Sequence, residues 1–499
     1  MTVARRLSVR STGNEGRASR DREGRPHCAS RAKATLLARP EPIAGARQAE
    51  RQEAPLLDRE SFDRSDRATR LERWLGWAVP ATREERAAAL WSFAYFFMLL
   101  AGYYVLRPLR DRMGIAGGVK ALPWMFTATF LTLLVVQPLY GALVARLPRA
   151  RFITVVYHFF AANLALFWLL LTLNIAPVIV ARVFFVWVSV FSLFAVAVFW
   201  SFMADLFDSE QGKRLFGFIG AGGTAGSLIG PVITIGLSAP LGPVNLLIAA
   251  IVLLEFAVFC VHRLERAASA RRGPRAEPSR IGGGAFAGLS ELFRSPYLIG
   301  VGAWVSLLSF GATILYLEQA NIVAATVHGA GAQTRIFASI DLAVGLLSLA
   351  TQVFATGQLL KRFGSGAAAA ALPAVYIAGF AALAVAPSLI AVVAIQIAQR
   401  WMNFAIANPA RQVFFTVVSR EEKYKVKNVI DVVVYRGSDA LYGWLFGALE
   451  TLGLKIGGIA LCALPVAAGW LVLSAALGRT QARRAAREGA AAAAAGGCG

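Results

Sequence analysis

Between about residue 88 and residue 477 the chain alternates long apolar runs with short polar joints. A hydrocarbon core about 30 Å thick takes about 20 helical residues to cross, so each run of that length predicts one membrane span. Twelve such runs fall near 88–106, 121–144, 152–172, 176–203, 215–238, 242–262, 297–320, 335–359, 367–386, 388–408, 428–449 and 456–477. The expected class is an all-α integral membrane protein of about 12 transmembrane helices, with the lipid bilayer as its surroundings.

The polar segments then divide the chain. The longest joint, HRLERAASARRGPRAEPSRIGGG, follows the sixth run and predicts a six-plus-six arrangement. One bundle is expected over 87–262, a basic linker over 263–296, and a second bundle over 297–478. Shifting the sequence by 212 positions lays Tyr104 on Tyr316, Phe202 on Phe414, Glu210 on Glu422 and Lys213 on Lys425. Related halves enclosing a central cavity are a common plan of secondary transporters. Residues 1–86 are rich in Arg, Glu, Ser and Gly and poor in aromatics, a composition that buries too little surface to offset chain entropy, so a disordered basic tail is expected. It also carries Glu15, Asp21, Glu23 and Glu41, unlike an organellar transit peptide. The stretch 479–499, ending GAAAAAAGGCG, is of low complexity and is likewise expected to be disordered.

Composition agrees with the pattern: 57% of residues are hydrophobic and 16% charged, against about a quarter charged in soluble domains. The net charge of +22 sits in the N-terminal tail and the joints with no aromatic-basic module, so nucleic acid is not an expected partner. With the N-terminus placed in the cytoplasm, about 23 Lys and Arg fall on the cytoplasmic side and about 6 outside, which predicts an inner-membrane protein with both termini cytoplasmic. Cys28, Cys260, Cys462 and Cys498 form no CxxC pair, and neither a disulfide framework nor a zinc site is indicated. No protein partner and no cofactor are called for.

Ionisable residues inside the spans are the main anomaly, because each costs about 2.5–3.5 kcal/mol at the centre of a membrane helix. They are Arg182, Glu255, Asp341, Arg400, Asp431, Arg436 and Asp439. Arg182 lies near a span end and is expected to snorkel; Glu255 reads either as a proton-linked carboxylate or as a structural partner. At about 100° per residue, Lys427, Asp431, Tyr435 and Ser438 share one stripe of span eleven while Arg436 points away. A helix polar on two sides predicts a place inside the bundle, with Arg436 paired to another helix. Lys427 and Asp431, one turn apart, are expected to rest on each other when no substrate is bound.

Two further stretches carry candidate chemistry. RPLRDRMGIAGGVK follows span one and reads as a loop broken at Pro108, with Arg107, Arg110, Arg112 and Lys120 at a pore mouth, where guanidinium groups grip phosphate oxygens. Span five has Gly222, Gly226 and Gly230 at four-residue spacing, which predicts close packing of one membrane helix on another. It lacks the Lys-Ser or Lys-Thr of a phosphate loop, and no HExxH, GxSxG or metal-ligand spacing appears, so no enzyme is expected.

Three stretches taken together, YYVLRPLRD, FWSFMADLFDSEQGKRLFGFIGAGG and NPARQVFFTVVSREEKYKVKNVID, resemble the bacterial and plastid type of ADP/ATP translocase, and the likeness covers residues 88–478. The resemblance implies a major facilitator-like fold and exchange of nucleotides without hydrolysis. It implies functional roles for Arg110, Asp205 and Lys427, the last ahead of Ile430 and Asp431. Near the start of span eight, where that family has a carboxylate, this chain reads AQTRIFASID, with Gln333 and Thr334. The expected substrate is an anionic small molecule, a nucleotide first. Arg107, Arg110, Arg400 and Lys427 would hold it, and Asp205, Asp431 and Asp439 would pair with them in the empty carrier. Two alternatives stay open: a proton-coupled facilitator of another solute using Glu255 or Asp341, and a membrane nucleotide sensor that transports nothing.

Overall fold

In a computed structural model of the chain, residues 85–496 are described except 145–148, 270–288, 419–425 and 428. The expected N-terminal tail, most of the linker, and Glu422 and Lys425 of the internal comparison lie outside the described residues. The first half contains α1 (Arg86–Ala116), α2 (Leu122–Val144), α3 (Arg149–Thr172), α4 (Pro177–Leu206), α5 (Ser209–Leu237) and α6 (Leu246–Ser269). After a short helix, Leu289–Arg294, the second half contains α7 (Pro296–Thr326), α8 (Ala330–Phe354) and α9 (Thr356–Val385). Helix α10 begins as Leu389–Met402, widens into a π-turn at Asn403–Ala407 and resumes over Asn408–Phe414. Helix α11 opens with a π-turn, Ile430–Val434, and continues over Tyr435–Thr451; α12 runs Ile456–Gly496. No strand occurs among the described residues.

Eleven of these helices are long and apolar enough to cross a membrane by length and composition. The twelfth, α11, carries Asp431, Arg436, Asp439 and Glu450, and it packs between α2 and α7. Odd-numbered helices run from the side where α1 begins, the near side, and even-numbered helices return from the far side.

Local chemistry sets several boundaries. Proline opens α4 and α7 within the first turn, where its missing N–H removes no helical hydrogen bond. Helix α5 starts at a reciprocal cap in which the Gln211 N–H donates to the Asp208 carboxylate and the Asp208 N–H donates to the Gln211 side-chain oxygen. Two expected boundaries are corrected. Pro108 does not break α1, which continues more than two turns further to Ala116, so RPLRDRMGIA is helix and not a loop. Nor does the chain lose structure at 479: α12 continues through Gly496, as its run of Ala and Arg, strong helix formers, favours.

Each half has its own apolar core, built around Tyr95, Phe184 and Phe199 in the first and Trp304, Tyr376 and Trp470 in the second. Leu122, Met125 and Phe185 of the first half belong to the second half's core, and there the halves join. Within the first half, a Cβ on Gly226 would stand 2.3 Å from the Phe97 carbonyl oxygen, and one on Gly222 2.5 Å from that of Phe93. These glycines let α5 lie directly on the backbone of α1, as the four-residue spacing predicts.

Contacts between the halves gather toward the far side. The rings of Trp124 on α2 and Trp444 on α11 meet edge to face at 4.7 Å, and Trp444 Nε1 donates to Thr127 Oγ1 at 3.0 Å. Gly443 of α11 faces Pro123 of α2, while Gly331 at the start of α8 lies against Ser238 at the end of α5. These contacts hold the halves together at the far side, a far-side-closed arrangement.

Candidate functional site

A cavity of about 350 Å³ lies between the halves and is lined by α1, α2, α4, α7, α8, α10 and α11. Its charged residues are Arg107, Arg110 and Asp111 on α1, Arg400 on α10, and Arg436 and Asp439 on α11. Asp341 of α8, 2% exposed, sits directly behind the wall and binds two of the arginines. The helical continuation past Pro108 is what brings Arg107, Arg110 and Asp111 into the cavity rather than onto an exposed mouth.

Three ion clusters organise the site. At the first, Arg107 Nη1 approaches Asp341 Oδ1 at 3.7 Å, and Arg400 Nη2 donates to that same oxygen. One carboxylate oxygen therefore ties a helix of the first half to a helix of the second. The other Asp341 oxygen and Arg400 Nε are buried with no hydrogen-bond partner, so the cluster is incompletely satisfied. At the second, Arg110 donates to Asp111 Oδ1 from Nε at 3.0 Å and from Nη2 at 2.6 Å. Tyr316 of α7 donates to that oxygen at 3.2 Å, again across the halves. The third lies within the second half: Arg436 donates to Asp439 Oδ2 at 3.2 Å, while Ser309 and Thr313 of α7 donate to Oδ1 at 2.6 and 3.3 Å.

Around these clusters the four guanidiniums face three carboxylates, a surplus of one positive charge in a confined space. The Arg110 guanidinium lies 5.1 Å from the Phe185 ring centre and 6.0 Å from that of Tyr316, and that of Arg107 lies 5.7 Å from Tyr104. Tyr104 and Tyr316, the pair matched by the internal shift, both line the wall. Tyr376 donates to Gln399, whose amide donates to Gln396, and both glutamines face the cavity. Such a chamber can neutralise an anionic group and offer aromatic faces to a flat one.

The two π-turns adjoin the cavity. Asn403 and Phe404 of the first line it, and Tyr435 and Arg436 follow the second directly. A π-turn displaces backbone carbonyls from the regular ladder. Here Gln352 donates to the Phe404 carbonyl and Thr356 to that of Ala405, so side chains of α8 and α9 secure the irregular stretch.

Of the eight residues expected at the site, Arg107, Arg110, Arg400, Arg436 and Asp439 line the cavity. The other three do not. Asp205 is at the near-side end of α4, outside the lining. Lys427 does not rest on Asp431: it donates to Gln412 at 3.0 Å, while Asp431 accepts from Arg411 at 3.0 Å. Among the described residues, Arg436 pairs within its own helix and not with another. Glu255 lies away from the cavity on α6, 3.4 Å from His158 of α3, and both are half exposed on the outer face. Arg182 donates to the Gly117 carbonyl at the end of α1. Sequence reasoning left Asp111 beyond the membrane because Pro108 reads as a break. It also passed over Glu318, whose only signal is a single acid inside the apolar run ATILYLEQANIV.

Two six-helix halves around a charged central chamber define a polytopic membrane transporter. The chain belongs to the Major Facilitator Superfamily, whose family model matches residues 124–425, more than half its length. Among solved structures, the nucleoside transporter NupG is similar at 15% identity and a TM-score of 0.53, over 79% of this chain and 98% of that one. A bacterial homologue of the iron transporter ferroportin, in an inward-facing state, is similar at 10% identity and a TM-score of 0.58, over 79% of this chain and 98% of that one. At these identities the likeness is one of fold. No curated protein matches the chain.

Proposed function

We infer that this transporter carries a phosphorylated or otherwise anionic small molecule by alternating access, with a nucleotide as the leading substrate. The observation that carries the reading is the sharing of Asp341 between Arg107 and Arg400. Two guanidiniums from opposite halves are held by a carboxylate that satisfies them only in part, so an arriving anion can take them over and pull the halves into a new relation. Unpaired guanidiniums in a closed chamber are costly, so the empty carrier reorients with these pairs formed and the loaded one with the substrate in their place. That logic favours exchange over net uptake. The near side is taken as the cytoplasm, following the excess of basic joints there.

The aromatic rings beside the arginines suit a nucleobase or another flat group, which places nucleotides ahead of simple phosphate esters. The test is reconstitution of the full chain in vesicles with labelled ADP, with a sugar phosphate and inorganic phosphate as competitors. Exchange competed by nucleotides and lost in Arg400→Gln is the expected result. Binding of ADP with no movement in either direction would favour the sensor, and movement of uncharged solutes alone would overturn the anion reading.

A further inference from the structure

Glu318 of α7 is fully buried, and neither of its carboxylate oxygens has a hydrogen-bond partner. It makes no ion pair among the described residues either. Its chain neighbour Gln319 and Tyr316, half a turn back, line the cavity, whereas Glu318 faces the other way. Gly311, seven residues or two turns earlier on the same face, meets the Tyr376 ring of α9.

Most charged groups on the elements packed around α7 are engaged elsewhere. On α11, Asp439 is bonded to Arg436, Ser309 and Thr313, Asp431 to Arg411, and Glu450 accepts from Asn321. On α10, Arg400 is held by Asp341, and on α1, Arg110 by Asp111. Lys455 precedes the first turn of α12, whose other cations begin at Arg479 near its opposite end. The short helix before α7 pairs its Glu291 with Arg294. Arg112 of α1, the exposed Lys120 in the turn after α1 and the exposed Lys455 have no carboxylate partner among the described residues, yet none of them is within ion-pair or hydrogen-bond reach of Glu318. An ionised carboxylate there would be desolvated and unpaired, which costs several kcal/mol, while a protonated one leaves only neutral polar atoms unsatisfied.

We propose that Glu318 is a proton-carrying site: it is protonated in this far-side-closed conformation and ionises when the halves rearrange and admit water to α7. The inference rests on the transporter reading for the use made of the proton, since a proton tied to one conformation makes the conformational cycle sensitive to a pH gradient. By linkage, alkaline pH disfavours the state that needs the proton. Between the ionisation point of the rearranged state and the higher one of the closed state, each pH unit should move the ratio of closed to rearranged molecules by about tenfold.

The test uses the full chain in lipid nanodiscs and no transported solute. With the native cysteines replaced, spin labels at Ile175, in the far-side joint after α3, and at Val385, at the far-side end of α9, report the separation of the halves. Both positions are exposed. The expected result is a short distance at acid pH that gives way to a longer one as pH rises, and a short distance at every pH in Glu318→Gln. Infrared spectra of the unlabelled chain should show the carbonyl stretch of a neutral carboxylic acid at neutral pH, missing in Glu318→Met, whose apolar side chain of similar size keeps the site packed. A pH response that survives unchanged in Glu318→Gln, a native distance indifferent to pH, or the absence of the acid band would each overturn the proposal. Failure of every phosphorylated anion to move would sink the previous reading and leave these results as they stand.

Discussion

Arg107 of α1 and Arg400 of α10 converge on one oxygen of Asp341, although 293 positions separate the two arginines in the chain. Asp341→Asn removes the counter-charge these guanidiniums share. Loss of one partner from a buried ion cluster costs about 3–5 kcal/mol, so the unliganded variant should melt well below the native chain. An anion that replaces the lost carboxylate should then stabilise the variant more than it stabilises the native protein. Thermal unfolding with and without ADP measures both effects, and equal ligand-induced shifts in the two proteins would refute a common site.

Arg400 should not tolerate lysine. Its planar fork reaches Asp341 while its stem crosses the cavity wall, and a lysine offers a point charge without the paired donors. Arg400→Lys is expected to lower anion exchange by at least about tenfold, equivalent to about 1.4 kcal/mol, with normal amounts of folded protein. Exchange at the native rate would show that charge alone suffices at this position.

Lys427 and Asp431 provide the contrast. Lys427 is bonded to Gln412 outside the cavity, so Lys427→Ala should leave the ADP-induced thermal shift unchanged. If that shift disappears, the binding site extends to the near-side end of α11.

Closure of the far side can be trapped covalently. A Cβ built on Gly443 lies 3.6 Å from the Cβ of Pro123, within the usual disulfide range of about 3.5–4.5 Å. In a background without native cysteines, Pro123→Cys with Gly443→Cys should crosslink on mild oxidation, arrest exchange, and recover on reduction. A crosslinked protein that still exchanges would mean that α2 and α11 do not separate during the cycle.

Gly226 should be sensitive to its first added carbon. The clash is with the Phe97 carbonyl, a backbone group, so no side chain can swing away to relieve it. Gly226→Ala is expected to destabilise the chain by about 1–3 kcal/mol, and Gly226→Leu to prevent accumulation in the membrane. An alanine variant of native stability would show that α5 stands further from α1 than the fold places it.

The amino-acid sequence by itself determined the number of spans, the division into two halves and the glycine contact of α5 with α1. These depend on apolar length and on four-residue spacing, which act within one helix and are visible along the chain. It also marked Arg107, Arg110, Arg400, Arg436 and Asp439 as exceptional, because a charge inside an apolar run is costly wherever that run packs. Only the tertiary structure decided the partners. Whether Pro108 ends a helix or is absorbed depends on the neighbours that hold α1 straight. Asp431, inside the π-turn at Ile430–Val434, turns to Arg411 of α10 and not to Lys427, a pairing set by how α10 and α11 pack. Glu318 could not be told from an ordinary partnered acid, since solitude is a property of the space around a residue: it is fixed by what α9, α10, α11 and α12 bring to that point, and no spacing along α7 encodes it.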